Sequence, residues 1–258
     1  MDARITGLWD ENAQAYADLI GDMGTPHHQQ ILNPCVESLM GDVDGLYILD
    51  AGCGEGYLSR HYAKMGARVL GVDISSKLIE IAQSHVVEKD TVRFEEGDIC
   101  NLGSISDDTF DCVLCNLVLL NTPCFDAALR EIHRVLKPGG FLVFSVTHPA
   151  FNFYGPGSWE FGKKDPRTHR RRGLFFKMDF YFQEEPYERF WKSYDGEEFP
   201  QPIVFFHRTI STYVNTLLGA GFVISRVEEP TPVKKNDFFE RESRIPFFLV
   251  IKAEKSKL

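Results

Sequence analysis

The chain has 258 residues, 43% hydrophobic and 25% charged, with a formal net charge of −9. That length supports one large core or two small ones, and that balance is ordinary for a globular protein. The negative charge argues against nucleic acid or an anionic membrane as partner and favours a small neutral or cationic ligand.

No apolar run reaches the ~18 residues of a membrane span, and Met1 to Gly7 lack the apolar stretch of a secretion signal. The six cysteines (35, 53, 100, 112, 115 and 124) show no disulfide-framework spacing. Cys112 and Cys115 form a C-x-x-C inside an apolar run, where residues three apart face opposite sides of a strand. Reduced thiols and a cytoplasmic location are expected.

Leu8, Trp9, Asn12, Tyr16 and Leu19 recur at helical spacing, predicting an amphipathic helix over 5–20. A breaker cluster at 21–26 precedes a second helix over about 27–40, split or kinked at Pro34. Both read as a cap (1–44) over the ligand edge of a sheet. From Leu46 the pattern alternates. Strands are predicted at 47–51, 68–73, 92–98, 110–116 and 141–146. Helices are predicted at 57–65, 76–87 (N-cap Ser75) and 125–136, the last stopped by Lys137-Pro138-Gly139-Gly140. Such alternation implies a parallel sheet. Residues 151–206 show no helical or alternating period but are rich in aromatics, which predicts an inserted lid or substrate-binding element. A helix over 209–218 and strands at 222–228 and 247–251 follow. With no helix between them, the last two strands form an antiparallel pair. The expected fold is α/β, a Rossmann-like seven-stranded sheet in a single domain, with a core of 45–150 and 207–258.

The apolar strand at 47–51 runs into Gly52-Cys53-Gly54-Glu55-Gly56 and then a helix. Glycines let backbone N–H groups approach a ligand, and the helix adds its positive end. Dinucleotide folds favour G-x-G-x-x-G, but Tyr57 occupies the third glycine position. Asp73 closes the second strand, where a carboxylate can take both ribose hydroxyls. Asp98 closes the third, where it can accept from an adenine amino group. Asn116 closes the fourth.

This ordered set resembles the class I S-adenosylmethionine-dependent methyltransferases of the small-molecule type, over most of 5–150 and again over 207–254. Asp50 to Gly56 looks like the family's first motif, Gly71-Val72-Asp73-Ile74-Ser75 its second, Gly97-Asp98-Ile99 its third and Phe110 to Val113 with Asn116 its fourth. The resemblance implies S-adenosyl-L-methionine as cofactor. Gly52, Cys53 and Gly54 would meet its methionine moiety, Asp73 and Ile74 its ribose, and Asp98 and Ile99 its adenine. Asp50, Tyr57 and Asn116 complete the site. Tyr16 and His28 are cap candidates to close over it, the alternatives being helix packing and a surface role.

A small-molecule acceptor methylated on O or N would lie over the ends of strands four and five, beneath 151–206. His148, leaving strand five, is a candidate general base; the alternative is a hydrogen bond to the turn before Pro149. Phe151, Tyr154, Trp159, Tyr181, Trp191 and His207 are candidate acceptor-site residues. The basic cluster between Lys163 and Arg172 reads as a solvated loop or an anion site. Two other functions are compatible with the residues: a non-catalytic cofactor-binding module that engages a protein, and an NAD-dependent oxidoreductase.

Overall fold

The computed structural model describes residues 3–86, 91–152, 155–167, 169 and 171–257. Tyr154, Arg170 and the predicted helix end at Val87 lie outside the described residues. The N-terminal segment forms α1 (Ala3–Ile20), a five-residue π-turn (His28–Leu32) and α2 (Asn33–Met40). Pro34 sits at the first turn of α2, where its missing N–H costs nothing, so the break expected near it falls where the π-turn passes into the α-helix.

The alternating region gives β1 (Tyr47–Ala51), α3 (Tyr57–Lys64), β2 (Arg68–Asp73), α4 (Ser76–Ser84), β3 (Val92–Glu96), β4 (Phe110–Asn116), α5 (Phe125–Val135) and β5 (Leu136–Thr147). Helix α5 shows why these segments dock. Phe125, Ala128, Leu129, Ile132 and Val135 are its buried residues, an i, i+3, i+4, i+7 stripe facing the sheet. The Ser75 side chain caps α4 by accepting from the Leu78 N–H. Strand β5 begins earlier than its apolar run suggests. Leu136 pairs with Phe110 and Phe141 with Cys112, so Lys137 to Gly140 form a bulge within the strand.

After α6 (Ile210–Gly219), the strands β10 (Phe222–Glu228) and β11 (Phe248–Lys255) complete a seven-stranded sheet of order β10-β11-β5-β4-β1-β2-β3. Its β5-β4-β1-β2-β3 portion is parallel, while β11 runs antiparallel to both β5 and β10. The order reverses between β1 and β4, and such switch points open a crevice at the strands' carboxyl ends.

The stretch 151–206 is more regular than its sequence implies. It holds two antiparallel pairs: β6 (Gly157–Lys164) with β7 (Arg171–Met178), and β8 (Pro186–Arg189) with β9 (Ile203–Phe206). Most of these strands keep exposed residues on both faces, so the period-2 signal of a half-buried strand is missing.

Candidate functional site

The crevice at the β1/β4 switch point is a cavity of about 750 Å³, counted to its open mouth. Tyr16, Gly52, Gly54, Asp73, Ile74, Asp98, Ile99 and Asn116 all line it. The strand ends supply most of these groups, and α1 closes the side with Ile5, Trp9 and Tyr16.

The glycine loop is held by the strand beside it. Gly52 and Cys53 both donate to the Val72 carbonyl, at 2.7 and 3.0 Å. Gly52 has φ +81°, and a Cβ there would lie 2.4 Å from a Val118 methyl. Gly56 has φ +84°, and its Cβ would lie 2.4 Å from the Phe94 ring. Gly52 therefore keeps the cavity floor open, while Gly56 lets α3 pack on β3.

Asp73 ties the loop to the end of β2: Oδ2 accepts from Gly54 N at 2.8 Å and Oδ1 from Ser75 N at 3.0 Å. Burial raises its pKa against these hydrogen bonds. Burial likewise raises the Tyr16 phenol, with Glu55, Asp73 and Asp50 adding to the shift. Of these Asp73 lines the cavity, as does Asp98, and the two strand-end carboxylates suit a ligand carrying sulfonium and ammonium charges. At the far wall, Ser145 Oγ donates to Asn116 Oδ1 at 2.7 Å, which leaves the Asn116 amide N–H groups as donors toward the cavity. Leu117, next in sequence, has φ +57°, an uncommon conformation for a branched residue.

Three residues expected at the cofactor lie behind the cavity wall. Asp50 is fully buried and accepts from Ser59 Oγ at 2.5 Å. The Cys53 side chain packs in the core beside Gly71. Tyr57 donates to Asn33 Oδ1 at 3.2 Å and so ties α3 to the cap. The first two follow from the side-chain alternation of β1 and its loop, and the third from the outward turn at Gly56.

Burial pushes the Asp50 carboxyl from 3.8 up to about 7. Its stabilising contribution is therefore complete below pH ~4 and is lost as pH rises through about 7. Asp50→Asn removes that loss. Between about pH 5 and 8 the wild type is expected to fall by about 5 °C in Tm relative to the variant. Parallel Tm curves would show that Asp50 does not titrate in this range.

A second cavity adjoins the first. Counted to its mouth it holds about 1550 Å³, and both cavities share Leu117 and Asn121. Its walls are largely aromatic, with Phe190, Trp191, Phe205, Phe238 and Phe247 among them. Trp191 also stacks on Tyr16, with centroids 6.3 Å apart, at the boundary between the two cavities.

His28 belongs to this second cavity rather than the first. Its Nδ1 lies 2.7 Å from Thr25 Oγ1 and accepts from Thr25 N at 3.3 Å. Burial, with His27 beside it, pushes its pKa down to about 4. The ring is neutral at physiological pH and carries its proton on Nε2.

His148 is removed from both cavities. It is 1% exposed, Nδ1 accepts from Ala150 N and Nε2 lies 2.8 Å from Glu229 Oε1. With Nδ1 occupied, Nε2–H donates to Glu229, and no ring lone pair is left for a substrate proton. The turn-bonding alternative describes this geometry; the general-base expectation does not. Phe151 packs on His148. Trp159 sits in the β6–β7 pair under the Arg244 guanidinium. His207 Nε2–H donates to the Tyr181 carbonyl at 2.8 Å, and the Tyr181 hydroxyl accepts from Ile210 N at 2.9 Å. These four support the inserted strands and line neither cavity.

The expectation of six reduced thiols is also corrected. Cys100 and Cys124 form a disulfide on the wall of the first cavity, across 24 residues of sequence. The partners come from the turn after β3 and the start of α5, which only the fold brings together. Asp98, Cys100 and Cys124 place ligand-type atoms within 4.8 Å of one another, but both sulfurs are consumed by the bond. Cys112 and Cys115 are free and enter different core clusters. Iodoacetamide is expected to add four groups to the denatured, unreduced protein and six after reduction; six before reduction would contradict the bond.

Residues 49–144 match the model of a methyltransferase domain. Among solved structures, the chain is 30% identical to a Listeria monocytogenes protein provisionally described as an S-adenosylmethionine dependent methyltransferase. That match has a TM-score of 0.69 and covers 86% of this chain and 97% of the other. A Mesorhizobium loti S-adenosylmethionine dependent methyltransferase is 27% identical with TM-score 0.71, covering 91% and 100%. A ubiquinone biosynthesis O-methyltransferase of Leptothrix cholodnii is 33% identical over 127 residues, 47% of this chain. The match spans only about half (53%) of that relative's length. The glycine-floored crevice and its strand-end carboxylates fit S-adenosyl-L-methionine, the methyl donor. The chain belongs to the class I S-adenosylmethionine-dependent methyltransferases.

Proposed function

We propose that this enzyme methylates a small, flat, largely apolar acceptor on O or N, held in the second cavity. The observation that carries this reading is the shared wall at Leu117 and Asn121. Two adjoining spaces, one polar and acidic and one aromatic, are what an in-line transfer between a charged donor and an apolar acceptor requires.

In this reading Asp73 takes the ribose hydroxyls, Asp98 and Ile99 hold the adenine, and Gly52, Gly54 and Asn116 surround the methionine end. Tyr16 and Trp191 form the partition that keeps water from the transfer. The chain is one methyltransferase domain with 1–44 as its cap, and 151–206 supplies the acceptor wall through Phe190, Trp191, Lys192 and Tyr194. Among the described residues no helix is long and apolar enough to cross a membrane. Family membership displaces the nicotinamide reading, and the second cavity favours catalysis over a purely protein-binding module.

Incubation with methyl-labelled S-adenosylmethionine and a metabolite extract, followed by identification of the labelled product, tests the proposal. A labelled aromatic small molecule is expected. Label confined to protein or RNA would overturn it.

A further inference from the structure

The proposed acceptor cavity carries two adjacent histidines whose hydrogen bonds give them opposite roles. His27 Nε2 lies 2.8 Å from Glu242 Oε1. Glu242 is 2% exposed, and its Oε2 is buried with no hydrogen-bond partner. A buried carboxylate is costly unless it is paired, and the hydrogen-bond partner found for this one is His27. Because the carboxylate accepts the Nε2 proton, the neutral His27 ring presents a lone pair at Nδ1. Phe247 stacks on the ring at 5.9 Å, and Phe238 and Phe239 pack tilted and edge-on against it. The ring is therefore fixed in orientation at the cavity wall. His28, next in the chain, has Nδ1 occupied by Thr25 and presents Nε2–H instead.

We infer that His27, backed by Glu242, is the general base of the methyl transfer, and that the acceptor is an aromatic hydroxyl flanked by a second oxygen that His28 Nε2–H binds. This rests on the reading of the second cavity as the acceptor site. The hydroxyl oxygen forms a bond to the methyl carbon while the carbon–sulfur bond breaks, its electron pair remaining on sulfur to give S-adenosylhomocysteine. The hydroxyl proton passes to His27 Nδ1. The resulting imidazolium is neutralised by Glu242, as in a carboxylate–histidine pair that holds and stabilises the charged ring. The His27 side chain is 31% exposed, which gives the proton a route to solvent. Glu242 acts through His27 and is a positioning residue. The other titratable groups on the cavity wall are His28, Lys192 and Tyr194.

The probe is catechol, which carries the required pair of oxygens, with methyl-labelled S-adenosylmethionine over a range of pH. The wild type is expected to methylate it with an acidic limb in kcat/KM. His27→Gln is expected to lose about 100-fold in kcat while its calorimetric affinity for S-adenosylhomocysteine stays within about 3-fold. That deficit should shrink at alkaline pH, where catechol ionises without help; a merely structural role would not produce such a convergence. Glu242→Gln should lower kcat with KM within about 3-fold, and its deficit should shrink at alkaline pH as that of His27→Gln does. His28→Gln should raise KM more than it lowers kcat. Unchanged kcat in His27→Gln would overturn the inference. So would a wild type that binds S-adenosylhomocysteine yet leaves catechol unmethylated, while the methyltransferase reading would stand. Failure of the wild type to bind S-adenosylhomocysteine would instead sink that underlying reading.

Discussion

Replacing Asp73 by asparagine is expected to weaken S-adenosylhomocysteine binding by about 100-fold. An ionised carboxylate offers about four acceptor sites. Two are taken by the N–H groups of Gly54 and Ser75. In the proposed binding mode the remaining capacity, which the Ile74 N–H also approaches, takes the ribose hydroxyls, and hydrogen bonds to a charged group contribute about 1.5–3 kcal/mol each. Asparagine has one oxygen and must turn its amide N–H groups toward a backbone donor or toward the ribose. Either way donor faces donor. The cost falls on binding and on the loop, so Tm should fall as well. Calorimetric titration checks the affinity and thermal unfolding the loop. An unchanged affinity would remove Asp73 from the ribose site.

The second large effect belongs to Gly52→Ala. The left-handed conformation costs an L-residue about 1–2 kcal/mol, and a methyl 2.4 Å from Val118 adds an overpacking cost of about 1–3 kcal/mol. The variant should lose about 3 kcal/mol of stability, with a further loss of cofactor affinity because the forced movement narrows the cavity floor. Val118→Ala removes both clashing methyls but leaves the backbone term and the Val118 Cβ at 2.9 Å. The double variant should therefore recover about 1 kcal/mol, a coupling measurable by a double-mutant cycle. Strict additivity of the two substitutions would show that the contact does not set the loop.

How much of this was legible in the sequence depended on distance along the chain. The glycine loop, Asp73 and Asn116 each stand at the end of an apolar run, and Asp98 follows the alternating strand β3. A parallel sheet gathers such ends at one edge, so the first cavity could be read from strand order alone. Asp50, Cys53 and Tyr57 occupy the same motif, yet alternation and the turn at Gly56 direct their side chains inward. Only coordinates separate them from Gly52 and Gly54.

The second cavity was not legible because it draws on five separated segments, among them 19–28, 117–121 and 238–248. Glu242, in a polar connection with no periodic pattern, gave no signal of its burial against His27. His148 illustrates the opposite error: a titratable residue at a strand end looks available until its partners Ala150 and Glu229 are known. Three of the four strands of 151–206 escaped notice because their faces are similarly exposed, and the Cys100–Cys124 bond because pairing across 24 residues carries no local signature.

The most direct test is a structure of the protein with S-adenosylhomocysteine bound. The ribose hydroxyls should lie within hydrogen-bond distance of Asp73, and the sulfur should sit at the Leu117–Asn121 junction, open toward the aromatic cavity. A sulfur facing away from that cavity, with solid wall between them, would contradict the account.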